Sequence, residues 1–119
     1  MKGLILFLVS KVLVLVLYPI GFTYSIVLTF IKNGYTELDK YLFNCALATD
    51  QHANTYLSKL FNDIMILKGG YKFGNPDETI SSVLGKNIET KTLSLIGKGL
   101  NNILNLLEDN HATKSIEEL

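Results

Sequence analysis

The sequence predicts an all-α protein, with an N-terminal transmembrane helix followed by a small bundle of three to four amphipathic helices. Three observations predict it. Residues 12–31, VLVLVLYPIGFTYSIVLTFI, run without a charge for the length of a bilayer span. Beyond residue 35, apolar side chains recur at helical spacing. No strand-period segment competes outside the apolar region. The chain divides accordingly into a membrane anchor, 1–34, and a helical domain, 35–119.

The anchor comes first. In lipid the backbone must satisfy itself internally, so residues 12–31 are expected to be helical despite their valines. Pro19 and Gly21 predict a kink near the middle. Lys32 marks one end, and Lys11 can snorkel toward the other. A re-entrant segment bent at Pro19 and a cleaved signal peptide are the competing readings. The signal peptide is weakened by Lys11 inside the would-be apolar region and by the lack of an A-x-A site. Orientation is close to a tie between Lys2 and the α-amine on one side and Lys32 and Lys40 on the other. We expect a single-pass protein with its helical domain in the cytoplasm.

Asn33-Gly34 is a turn signal. Leu38, Tyr41, Leu42, Cys45, Thr49, Ala53, Tyr56, Leu57, Leu60, Phe61 and Ile64 then form one helical stripe. It belongs to one long helix, or two joined near Thr49, ending at Gly69-Gly70. After the loop 69–75 a second helix is predicted over 76–84, with Asn75 as cap, Pro76 at the first position, and Glu78 reaching back to the cap amide. Gly85 is expected to stop it. A last major helix covers about 90–108, striped by Leu93, Ile96, Leu100, Ile103, Leu104 and Leu107. Ser115 and Glu118 suggest a short terminal turn.

Charge narrows the function. Eleven lysines and no arginine meet eleven acids. The total is zero, but residues 1–34 hold Lys2, Lys11 and Lys32 without an acid (+3), while residues 35–119 hold eight lysines and eleven acids (−3). An acidic domain without arginine is not a phosphate-neutralising nucleic-acid binder. Cys45 stands alone, so no intrachain disulfide and no cysteine-based zinc site can form. No cofactor is expected. Gly69 and Gly74 supply half a phosphate loop, but Asn75-Pro76 stands where Lys-Ser/Thr is required. Asp77 and Glu78 are adjacent carboxylates, and successive helical positions diverge by ~100°, which suits dipole compensation better than paired acid–base work. Asp50 and Asn54 share a helix face at i,i+4, and His52 points elsewhere. His111 sits where the last long helix ends and suits its dipole. No catalytic or metal constellation assembles.

Three blocks carry a resemblance: Asp50-Gln51 with Asn54, Gly69-Gly70 with Pro76-Asp77-Glu78-Thr79-Ile80-Ser81-Ser82, and His111 with Ser115 and Glu117. Together they resemble a group of uncharacterised small proteins of bacteriophages and mobile elements. That group combines D-Q-x-x-N, G-x-P-D-E-T-[IL]-S and a terminal H-C-x-x-S-x-x-E-like segment. The match covers about a quarter of the chain. Ala112 replaces the group's cysteine, which speaks against a His-Cys role here. The resemblance implies a shared helical fold and a common polar cluster of Asp50, Asn54, Asp77, Glu78, Thr79, Ser81 and His111, with no catalytic residue carried over.

The expectation is a phage-type, membrane-anchored accessory protein that contacts the bilayer and a protein partner or a second copy of itself, and not nucleic acid. The alternative is a holin-like permeability factor, although holins usually end in a basic tail and this chain ends Ile116-Glu117-Glu118-Leu119.

Overall fold

The computed structural model describes residues 1–117, and Glu118, invoked for the terminal turn, lies outside them. The described chain is all-helical: α1 Lys2–Tyr56, α2 Ser58–Ile64, α3 Ile80–Glu89, α4 Leu95–Leu107 and α5 His111–Lys114. The only β pairing among these residues is an isolated bridge between Ile66 and Leu93. Contacts divide the chain into two compact units, Met1–Asn44 and Cys45–Leu119.

In the first unit the kink expected at Pro19 is absent from the backbone dihedrals. They remain helical there, and the break falls at Gly34, with φ 79° and ψ −173°. A Cβ would make that conformation costly, so the Asn33-Gly34 turn signal is where the chain uses glycine's freedom. The break turns the chain back. Tyr41 lies 6.2 Å from Phe22 between ring centroids, whereas nineteen residues of straight helix would separate them by about 28 Å. Residues 4–24 of the first limb carry exposed Leu, Ile, Val, Phe and Tyr on all sides. The return limb carries Glu37, Asp39 and Lys40, with an exposed Lys40–Glu37 ion pair at 3.1 Å.

In the second unit the end of α1 and α2 lie on either side of Leu57, so the stripe of residues 35–68 is divided there rather than near Thr49. Phe61, Met65, Phe73, Val83, Leu84, Leu93 and Ala112 form the core, extended by Ile64, Ile66, Ile80, Ile88, Leu100 and Leu104. Phe61 and Phe73 meet edge to face at 5.3 Å.

Two helix boundaries differ from the sequence reading for local chemical reasons. Asn75 caps no helix. Its side chain accepts from the Asp77 amide, and its carbonyl accepts from the Glu78 amide, making a turn with Pro76 at its second position. Asn-Pro-Asp serves a turn as readily as a helix start, and Thr79 is the actual cap of α3, its hydroxyl accepting from the Ser82 amide. Gly85 does not end α3. A Cβ there would lie 2.3 Å from the Ala112 carbonyl oxygen, so this glycine lets α5 pack on α3. Likewise α4 begins at Leu95 behind the Ser94 cap, because Leu67 and Ser94 amides bond to Thr92 and Met65 carbonyls and hold residues 92–94 extended.

Candidate functional site

The polar residues singled out in the sequence gather at the start of α3. The free amides of a helix N-terminus need acceptors, and here the acceptors come from far along the chain. Asp50 Oδ1 accepts from the Ile80 amide at 2.6 Å, and Asp50 Oδ2 lies 3.4 Å from the Ser81 hydroxyl. Glu117 Oε1 accepts from both the amide and the hydroxyl of Thr79 at 3.0 Å. The Ser82 hydroxyl accepts from the Glu117 amide at 2.8 Å. Two carboxylates thus face the positive end of one helix dipole.

Asn54 is fully buried and organises the preceding turn. Its amide nitrogen donates to the carbonyls of Asn75 (3.1 Å) and Glu78 (2.7 Å), and its oxygen accepts from the Gly74 amide at 3.0 Å. Gln51 adds a bond to the Asp77 carbonyl. All three polar residues of the D-Q-x-x-N block are therefore spent on the backbone or hydroxyl groups of residues 74–81.

Glu78 does not reach back to a cap amide. Its side chain is wholly buried and accepts from Tyr71 OH at 2.9 Å, Ser82 Oγ at 2.7 Å and Lys86 Nζ at 2.6 Å. Lys86 also lies over the Tyr71 ring, 4.4 Å from its centroid. A buried carboxylate requires compensation of this kind. Asn87 forms a further buried hub, bonding to both backbone groups of Tyr71, the Val83 carbonyl and the Thr92 hydroxyl.

Two ionisation equilibria shift. Burial pushes the Asp50 carboxyl above its usual range; the Ile80 and Ser81 donors and the His111 charge pull it down without cancelling that effect. Burial works to lower Lys86, but the Glu78 carboxylate and the Tyr71 hydroxyl outweigh it and hold the ammonium above its ordinary value.

Of the residues predicted to cluster, Asp50, Asn54, Glu78, Thr79 and Ser81 do so through their side chains. Asp77 is exposed and joins only through its backbone. Half-buried His111 starts α5, and its charge acts on Asp50. Ala112, which stands where the resembling group has cysteine, is buried in the core, a position suited to any small side chain. Tyr71, Lys86 and Asn87 were missed, and Gln51, Ser82 and Glu117, which stand in the three blocks, were not placed in the cluster. The spacing Glu78-Ser82-Lys86, four residues apart each time, could have revealed two of them.

Chemically, this arrangement binds its own backbone. Asp50 and Glu117 are engaged with amides and hydroxyls at the start of α3, Asn54 with the turn, and Glu78, closed off from solvent, with Tyr71, Ser82 and Lys86; of its carboxylates only that of Asp77 is exposed. Among the described residues, no group of three or more His, Cys, Asp or Glu side chains could hold a metal ion. The accessible chemistry of the second unit lies elsewhere, on α4, where Leu95, Ile96, Ile103, Leu106 and Leu107 are 55–85% exposed. An apolar core and a buried polar network hold this unit together, and α4 keeps a further set of apolar side chains on its surface. The chain matches no protein-family model, no curated protein and no solved structure.

Proposed function

We propose that the protein is a membrane-anchored interaction module: the first limb of α1 spans the bilayer, and the second unit, in the cytoplasm, presents the apolar face of α4 to a protein partner. The observation that carries this reading is the pairing of one helix long and apolar enough to cross a membrane with an exposed apolar helix face on a unit whose clustered polar residues Asp50, Asn54, Glu78 and Thr79 are bonded internally. The fold of that unit is read as a small bundle of α2–α5 and the end of α1. The three motif blocks, which meet around α3, support a common origin with the phage and mobile-element group.

The turn at Gly34 bears on where the span lies. If residues 12–31 were centred in hydrocarbon, the return limb beside Phe22 would carry Glu37, Asp39 and Lys40 toward the same depth. A charge at the bilayer centre costs about 2.5–3.5 kcal/mol on insertion scales. Residues 4–24 of the first limb themselves contain a single charge, Lys11, which lies over the Phe7 ring at 5.1 Å and is near enough to the N-terminal end to snorkel. We read the span within the first limb, before the break at Gly34.

The test is fractionation of the full chain after expression in bacteria, with intact-mass measurement of the product. An uncleaved chain that stays in the membrane pellet through alkaline carbonate is the expected result. Release into the supernatant, or cleavage within residues 1–34, overturns the anchor.

A further inference from the structure

Helix α4 turns Gly97, Leu100 and Leu104 inward. Gly97 is buried, and a Cβ on it would lie 2.3 Å from the Met65 carbonyl oxygen. On the adjoining face stand Leu95, Ile96, Ile103, Leu106 and Leu107, each more than half exposed. Gly99 sits among them, itself exposed, and nothing lies within 4 Å of where its Cβ would be. Glycine inside a helix costs about 1 kcal/mol relative to alanine. Gly85 and Gly97 offset that cost by admitting a neighbouring backbone of the same chain, and Gly99 has no such neighbour. It is a notch in the middle of an uncovered apolar face.

The face is also self-complementary. Counted outward from Asn101, Gly99 and Ile103 lie two residues away, Ile96 and Leu106 five, and Leu95 and Leu107 six. At ~100° per residue, Leu95 and Leu106 form one flank, Ile96 and Leu107 the other, with Gly99 and Ile103 between them. A two-fold axis requires that each pairing occur twice, residue i on j and j on i. Reversing this helix about Asn101 satisfies that: Leu95 meets Leu106, Ile96 meets Leu107, and the Ile103 side chain meets the Gly99 notch. The only charge within Leu95–Leu107 is Lys98, which falls about 120° from the centre of the face, so pairing would desolvate no ion.

We infer that the occupant of this face is a second copy of the chain, its α4 packed antiparallel, with Ile103 of each copy seated on Gly99 of the other. This inference rests on the membrane-anchored reading and names its partner. A bilayer is the weaker occupant, because the polar side of α4 is Asn101, Asn102 and Asn105 with one lysine, Lys98, followed by Glu108-Asp109, and a single cation is not the basic rim that holds a helix to anionic lipid. One helix face is smaller than the ~800 Å² per partner of a standard interface. Anchoring both copies in one membrane raises their effective concentration and compensates for that.

The experiment uses the full chain carrying Cys45→Ser, reconstituted in phosphatidylcholine vesicles. Chains bearing Gly99→Cys and chains bearing Ile103→Cys are mixed and oxidised. A mixed disulfide dimer formed several-fold more efficiently than one between chains bearing Lys98→Cys is expected. Separately, Gly99→Leu fills the notch. It should weaken energy transfer between labelled copies, lowering the association constant about tenfold or more, while the thermal midpoint of the second unit holds or rises. Equal cross-linking of face and control positions, or undiminished association of Gly99→Leu, overturns the inference, as does labelling of Leu95–Leu107 by photoactivatable lipid in place of cross-linking. Pelleting with the vesicles is scored in the same samples. Its loss removes the anchor reading, whereas cross-linking that fails with pelleting intact removes only the second copy.

Discussion

Asn54→Ala is the sharpest probe of the second unit. Asn54 is fully buried and makes three hydrogen bonds, to the Gly74 amide and the Asn75 and Glu78 carbonyls. Each bond contributes ~1 kcal/mol net, and each buried group left without a partner costs ~1–3 kcal/mol. Water entering the vacated volume would repair part of this, so a loss of about 3 kcal/mol is the working figure. It falls on a unit whose whole stability is on the order of 5–15 kcal/mol. Denaturant melting of the full chain would mix this transition with that of the anchor and is unsuitable. Amide hydrogen exchange by mass spectrometry over residues 80–89 isolates it, because opening of the 74–79 turn uncaps α3. A loss of 3 kcal/mol corresponds to about 150-fold faster exchange there, at 1.36 kcal/mol per decade. Asn54→Asp should be at least as damaging, since a buried carboxylate would face two carbonyl oxygens. An acceleration below about fivefold, or ~1 kcal/mol, would refute the argument that this amide holds the turn.

The remaining predictions concern the groups around it. Lys86→Met leaves Glu78 buried without its counter-ion and should cost about 3–5 kcal/mol; adding Glu78→Gln should recover a large part of it, measured by the same exchange. Asp50→Ala should cost about 1–2 kcal/mol through the uncapped Ile80 amide, whereas Asp50→Asn keeps an acceptor and should cost less. Because burial holds the Asp50 pKa above its unfolded value, the folded state binds its proton more tightly, and stability should fall as pH rises from 3.8 through the raised value. Asp50→Asn should flatten that slope in the opening free energy of residues 80–89, taken from the same exchange after correction for the intrinsic pH dependence of the rate. Gly85→Ala forces a methyl against the Ala112 carbonyl and should cost about 1–3 kcal/mol, with faster exchange in both α3 and α5.

Helix content was legible in the sequence because it rests on local periodicity, and Gly34 acts where its chemistry is visible in a single dipeptide. Boundaries set by tertiary contacts were not. Gly85 reads as a stop until Ala112 is known to lie against it. Asn75 reads as a cap until its side chain is seen closing a turn. The polar cluster was legible as a set of residue types but not as a set of roles. Glu78 and Asp77 are neighbours in sequence and alike in chemistry, yet one is wholly buried on Lys86 and the other is exposed. That difference comes from the turn placed before α3, which no spacing rule anticipates.

The roles of the polar residues bear on where function resides. The D-Q-x-x-N, P-D-E-T and terminal blocks touch one another through backbone-directed bonds, so each is needed to hold α3 in place. A substitution in any of them should disrupt folding before it disrupts an activity. Motifs rich in Asp, Glu, Ser, Thr and His invite a catalytic reading, but catalysis needs side chains with open valence toward a substrate. Here Asp50 accepts from α3, Asn54 from and to the turn, and Glu78 from Tyr71, Ser82 and Lys86. The most exposed apolar residues of the second unit are Leu95, Leu106 and Leu107 of α4. Their burial is worth ~25 cal/mol per Å² once a partner covers them. On the proposed reading, the free energy for a partner contact comes from α4, away from the polar blocks that first draw attention in the sequence.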